Sequence, residues 1–187
     1  MSTPIFSPTG VDGVIASGNV PTWIIQEESI PTPLTKESTT IPLAAFNAAT
    51  TVKADCHHDM GDVSFTRTAT TRDRKRACET VTVTVKTGET IEGTVSAVYD
   101  QQQLADAAAI INAVYQAVPE GKTVYVAMAF GWDSHKPIDA TTIVDVYRGT
   151  VQMRSKNTPV DGEDLKFTST LATDLYIEDV EITGTAG

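Results

Sequence analysis

The stretch VTVTVKTGETIEGTVSAVYDQQQLADAAAIINAVYQAVPEGKTVYVAMAFGW, Val81 to Trp132, reads as strand, turn, strand, helix, strand, and the rest of the chain is organised around it. Val81, Val83 and Val85 alternate with Thr80, Thr82 and Thr84. That period of two marks a pleated strand with one face buried and threonines on the wetter face. Lys86-Thr87-Gly88-Glu89 supplies a turn, after which Ile91, Val95, Ala97 and Tyr99 continue the alternation on a returning strand, with Gly93 marking a bulge or a close neighbour. Asp100 and Gln103 have the spacing of a capping box, so a helix is expected over about 101–118. Leu104, Ala107, Ala108, Ile111, Val114, Tyr115 and Val118 form its apolar stripe. The other side carries Asp106, Ala109, Ala113 and Ala117, with Ile110 at the flank, where a solvated helix carries Lys, Glu and Gln. Two readings stand: a second face covered by a neighbouring subunit, or an exposed helix rich in alanine because alanine has the best helix propensity. Pro119 and Gly121 end the helix, and TVYVAMAFGW (Thr123 to Trp132) follows as a strand apolar enough for burial on both faces or at an interface.

Outward from this centre, residues 1–42 read as an extended N-terminal arm, because Pro4, Pro8, Pro21, Pro31, Pro33 and Pro42 punctuate a stretch rich in Ser and Thr. Trp23-Ile24-Ile25 is an apolar handle within it that docks on this chain's own sheet or on a neighbour's. Residues 43–183 form the body. LAAFNAATTVK (43–53) and VSFTRTAT (Val63 to Thr70) are expected strands, as are Thr141 to Met153, Leu165 to Ala172 and Leu175 to Thr183, with turns at 156–162 and at Thr173-Asp174. Residues 184–187 are a short tail. About seven to nine strands and a single helix make the fold class α+β, mainly β: an antiparallel sandwich or partly closed barrel with one flanking helix.

Charge narrows the function. The formal net charge is −10, from 24 acidic and 14 basic residues, which excludes a protein that grips nucleic acid by its phosphates. No signal-like segment and no apolar run of bilayer-spanning length is present, so a soluble product in the cytoplasm that makes it is expected. The charges segregate. Arg72, Arg74, Lys75 and Arg76 cluster around Asp73, whereas residues 161–187 hold Asp161, Glu163, Asp164, Asp174, Glu178, Asp179 and Glu181 against Lys166 alone. The basic run reads either as a solvated turn or as a patch complementary to acidic surface on an identical copy, which suits head-to-tail association.

Cys56-His57-His58-Asp59 is the one constellation with catalytic residue types. Adjacent residues on an extended chain point to opposite faces, and only His135 is available as a further histidine, so a polar loop or inter-subunit contact is favoured over a metal site. Cys56 and Cys78 are too few for a disulfide scaffold. No phosphate loop, nucleophile elbow or His-Glu-x-x-His pair occurs, so no enzyme and no cofactor is expected.

Over residues 43–183 the chain resembles the major tail tube proteins of long-tailed, non-contractile bacteriophages, particularly those of actinobacterial hosts. The likeness is carried by GDVSFTRTATTRDRKRACE (Gly61 to Glu79), by the hairpin and helix through Val118, and by TIVDVYRGTVQMRSKNTPVDGEDL (Thr142 to Leu165) onward. It implies a β-sandwich or barrel that forms hexameric rings, stacked into a hollow tube in the virion tail. The implied partners are further copies of the chain and the tail tip, tape measure and terminator proteins, with DNA passing through unbound and no membrane insertion. On this reading Trp23, Ile110, Ala113, Ala117, Arg72, Arg74 and Arg76 are candidate subunit contacts, and Glu89, Glu92, Asp174, Glu178 and Glu181 are candidate acids facing the bore. The competing reading is an immunoglobulin-like decoration or surface-binding module, which shares the strand count and acidity but has no need of a helix with two apolar faces. A zinc enzyme resting on Cys56 to Asp59 ranks below both.

Overall fold

A computed structural model describes residues 18–78, 80–106 and 110–184. Pro4 and Pro8 of the expected arm, Ala107 to Ala109 of the expected helix and residues 185–187 of the expected tail lie outside the described residues. Eight strands form one sheet: β1 (Thr22–Gln26), β2 (Thr40–Pro42), β3 (Val52–Lys53), β4 (Val63–Arg74), β5 (Val83–Val98), β6 (Thr123–Met128), β7 (Ile143–Lys156) and β8 (Lys166–Thr183), with short helices α1 (Leu43–Phe46) and α2 (Ala113–Ala117). The order is β3-β1-β6-β7-β8-β5-β4, antiparallel throughout this path, while β2 pairs in parallel with the end of β8 that β5 has left. The expectation of a mainly antiparallel β fold with little helix holds, and the sheet does not close.

The sheet serves two cores, one on each face, and period two sorts side chains between them. On β6, Tyr125 and Ala127 enter one core while Val124 and Val126 enter the other; on β1, Trp23 and Ile25 separate from Ile24 in the same way. The apolar run Thr123–Met128 is therefore buried on both faces, as its composition requires. Ile30, Leu34, Ile41 and α1 roof the first core. In the second, α2 meets Val95 and Ala97 of β5 and Phe167 and Leu171 of β8. Because β5 stands three places from β6 in the sheet yet shares this core, the sheet must curl. Three register shifts between β7 and β8 supply the bending. At one of them Asp179 has φ 53°, and its N–H donates to Asp145 Oδ1 at 3.1 Å. Gly93 answers to a close neighbour: a Cβ there would stand 2.5 Å from the Phe65 ring.

Several expected boundaries move. The N-terminal segment is no arm from Thr22 onward, since β1 is an inner strand between β3 and β6. Residues 43–53 are one helical turn and a two-residue strand, because Leu43, Ala45 and Phe46 all reach the first core from a single turn. No turn forms at Lys86–Glu89: β5 runs unbroken for 16 residues. Thr87 is absorbed as a bulge, since Thr70 pairs with Gly88 and Thr71 with Lys86. The hairpin partner of β5 is thus β4, the two pairing from Val63 and Val95 out to Arg74 and Val83. Likewise β8 runs unbroken for 18 residues through Thr173 and Asp174.

Among the described residues of the helix expected over 101–118, Ala113–Ala117 are α-helical, with 3-10 turns at Gln101–Gln103 and Ile110–Asn112. Asp100 does cap, accepting from Gln102 N–H at 2.8 Å. Fully buried Asn112 decides the rest. Its Oδ1 accepts from Asp100 N–H and its Nδ2 donates to Asp100 O, both at 3.0 Å. A continuous helix would put residues 100 and 112 roughly 18 Å apart, beyond the reach of one Asn side chain, so the segment folds back on itself.

Candidate interaction surface

β5 leaves β8 beyond Ile91, and residues 83–90 pair only with β4. From Thr66 to Arg74 and from Val83 to Thr90 every residue is exposed, so the outer half of the β4–β5 hairpin projects from the body. Opposed residues of an antiparallel pair point to the same face. Arg74 opposes Val83 and Arg72 opposes Val85, so one face carries arginines and valines, while the other carries Thr71, Asp73, Thr84 and Lys86. The expectation of a buried valine face is overturned: Val81, Val83 and Val85 are 68%, 46% and 38% exposed. The alternation implies one buried face, yet among the described residues nothing packs on it.

A ring column anchors the hairpin's root. Phe65 of β4 stacks on Tyr147 of β7 with centroids 3.8 Å apart, and Tyr147 stacks on Tyr176 of β8 at 4.5 Å. The Arg67 guanidinium lies 4.4 Å from the Tyr176 ring centroid and pairs with Glu178 at 2.8 Å and Glu89 at 3.4 Å. Burial pushes the Tyr176 hydroxyl well above its ordinary range, and it donates to Asp145. Sequence reasoning missed this column, whose members come from three strands; the only local signal was Gly93, which makes room for Phe65.

At the opposite end of β5, Val98 pairs with Lys166, so the loop 157–165 lies away from the hairpin. Tyr99 N–H donates to Leu165 O at 3.0 Å, and Lys166 Nζ pairs with Asp59 at 2.5 Å and Asp62 at 2.8 Å. These hydrogen bonds hold the Lys166 ammonium well above its ordinary pKa. His57 Nε2 donates to Ile110 O at 2.9 Å, bringing residues 57–62, 99–103, 110–112 and 157–165 to one end. This end displays Ile110, Met60, Val160 and Leu165, which are 77%, 60%, 56% and 49% exposed, among Asp100, Asp161, Glu163 and Asp164.

The candidate contacts separate accordingly. Trp23 is 4% exposed and packs edge-on against Phe46 inside the first core, so the apolar handle is docked on this chain's own sheet. Ala117 is buried in the second core, its carbonyl accepting from Gln26 Nε2 at 2.6 Å, and Ala113 is half-buried beside it. The second side of this helical turn is therefore covered by β1 and β3. Ile110, Arg72, Arg74 and Arg76 remain on the surface, the arginines on the hairpin. Among the candidate bore acids, Asp174 takes two hydrogen bonds from Arg148, at 2.9 and 2.6 Å, which hold its carboxyl below the ordinary range. Glu89 is held low by Lys86 at 2.7 Å. Glu92 and Glu181 are exposed and form no salt bridge among the described residues.

A cavity of about 540 Å³ gathers Lys53, Asp55, Cys56, His57, His58 and His135. It brings all three histidines of the chain to one place. No group of three His, Cys, Asp or Glu side chains among the described residues is placed to hold a metal ion. Cys56 and Cys78 are both exposed and unpaired. No helix among the described residues is long and apolar enough to cross a membrane.

A family model described as phage tail tube protein matches residues 8–186. Among solved structures, a chain of the anti-feeding prophage baseplate, determined by cryo-electron microscopy and 6-fold symmetrised, is similar over 89% of this chain and 95% of that one, with 8% identity and a TM-score of 0.45. No curated protein matches.

Proposed function

Because the chain belongs to the phage tail tube protein family, a structural family of the virion tail, we propose that it assembles into hexameric rings that stack into a hollow tube through which the genome leaves the particle. The observation that carries this reading is the β4–β5 hairpin, whose outer half is exposed on both faces and finds no packing among the described residues. A monomer gains nothing from exposing such a ribbon, whereas a stacked array covers it. Six subunits per ring is the number that the tail tube resemblance implies. Closed rings need a heterologous lateral contact, and stacking needs an element that reaches along the axis. The hairpin suits the second task.

A conduit must not hold its cargo. The net charge of −10 makes the assembled wall repel phosphate, and counterion release, which drives DNA onto basic proteins, is absent from an acidic bore. Arg67 and Arg148 neutralise Glu178 and Asp174, so Glu92 and Glu181 are the acids best suited to face DNA. The tail tip, tape measure and terminator proteins are the expected partners at the ends and in the bore, and the host cytoplasm is where assembly takes place.

Electron microscopy of the purified chain over a concentration series tests the reading. Rings or hollow tubes of uniform bore are expected. Persistence of small particles at high concentration, even with tail tips added as nuclei, would overturn it.

A further inference from the structure

We infer that the valine-arginine face of one copy's hairpin, formed by Val83, Val85, Arg72 and Arg74, seats on the far end of the next copy, where Ile110, Val160 and Leu165 stand among Asp161, Glu163 and Asp164. This rests on the stacked-tube reading and names the surface that does the stacking. The first argument is direction. β5 runs from the hairpin at Val83 to Val98, where it meets Lys166 and the 157–165 loop. The projecting element and the acidic apolar end thus sit at opposite ends of one strand, and a copy displaced along that strand's direction brings them together. From Arg67 to Arg74 the free ribbon spans roughly 25 Å, enough to cross a ring boundary.

The second argument is chemical match. Each surface joins exposed aliphatic side chains to a predominance of one charge: arginines on the hairpin face, and at the far end Asp161, Glu163 and Asp164, with Lys166 already held by Asp59 and Asp62 and Lys156 by Gln101. Aliphatic contact excludes water and so strengthens the flanking ion pairs, which in turn fix orientation. The third is elimination. The C-terminal acids, although equally negative in sequence, lie on the part of β8 nearer the hairpin's root, and Asp174 and Glu178 already hold Arg148 and Arg67 of the same chain. The acidic partner of the basic hairpin is therefore the 157–165 loop and not residues 174–181.

Charge reversal tests this. The double variant Arg72→Glu/Arg74→Glu and the triple variant Asp161→Lys/Glu163→Lys/Asp164→Lys should each reduce tube length in micrographs at least tenfold at low salt, with unchanged circular dichroism. A chain carrying all five substitutions should regain wild-type tube length, because its reversed hairpin meets a reversed end. Val83→Asp, which leaves the arginines in place, should also stop elongation. If wild-type tubes form but the five-substitution chain stays as short as its parents, the hairpin seats elsewhere and this inference falls while the tube reading stands. Absence of wild-type self-association by sedimentation at any concentration, with or without tail tips, overturns both.

Discussion

Asp179 carries the one positive φ among the described non-glycine residues, 53°, at a bulge where the β7–β8 register shifts. The left-handed region costs an L-residue about 1–2 kcal/mol, and glycine escapes most of that. Asp179→Gly should therefore leave stability unchanged or raise it by up to about 1 kcal/mol, whereas Asp179→Val should lower it by about 1–2 kcal/mol. Urea denaturation midpoints decide between these signs. Arg148 and Asp174 give a residue-scale pH dependence. The guanidinium's hydrogen bonds hold the folded carboxyl below its ordinary value, so the pair's contribution is fully present above about pH 5 and fades as pH falls through the folded pKa. Asp174 is 59% exposed, so solvent screens the pair and the contribution is small. The stability gap between wild type and Asp174→Asn should be constant near neutral pH and narrow below about pH 4; a gap that widens on acidification would show that another group dominates.

At the scale of elements, Asn112 determines how the segment before α2 folds. Its two hydrogen bonds to the Asp100 backbone replace the helix that Asp100, Gln103 and the apolar stripe predict. Asn112→Ala leaves the Asp100 N–H without this acceptor and takes one of two donors from the Asp100 C=O, which keeps Gln103 N–H at 3.3 Å, a loss of about 1–3 kcal/mol. Hydrogen exchange at the Asp100 amide should accelerate more than at β6 amides; equal acceleration everywhere would mean that the clamp is not local. The strands teach a related point. Alternation correctly located β4, β5, β7 and β8 in the chain, but Gly88 and Thr173-Asp174, which looked like turns, lie inside continuous strands. A turn-compatible sequence adopts a strand when a neighbouring ladder satisfies its backbone, and that neighbour is distant in sequence. Thr87 shows this, taken up as a bulge because β4 continues past it.

For the whole molecule, the proposed bore makes one further demand. Replacing the exposed Glu92 and Glu181 with lysine should turn a tube that ignores DNA into one that retains it, with retention falling steeply as salt rises. Wild-type-like indifference to DNA would move the bore to another face of the sheet. Local order in the chain was enough to determine that this protein is a mainly antiparallel β structure, that Thr123–Met128 is buried on both faces, and that the charges segregate. These properties depend on side-chain type and short-range period, which the residues carry with them. Only tertiary structure decided that Trp23 belongs to an inner strand, that the valines of β5 face solvent on a projecting hairpin, and that the acidic loop lies at the opposite end of that strand. The physical reason is that an alternating strand specifies two faces but not which elements cover them. Coverage depends on pairing between segments far apart in sequence, as Thr40 with Glu181 shows, and for the hairpin face no segment among the described residues supplies cover.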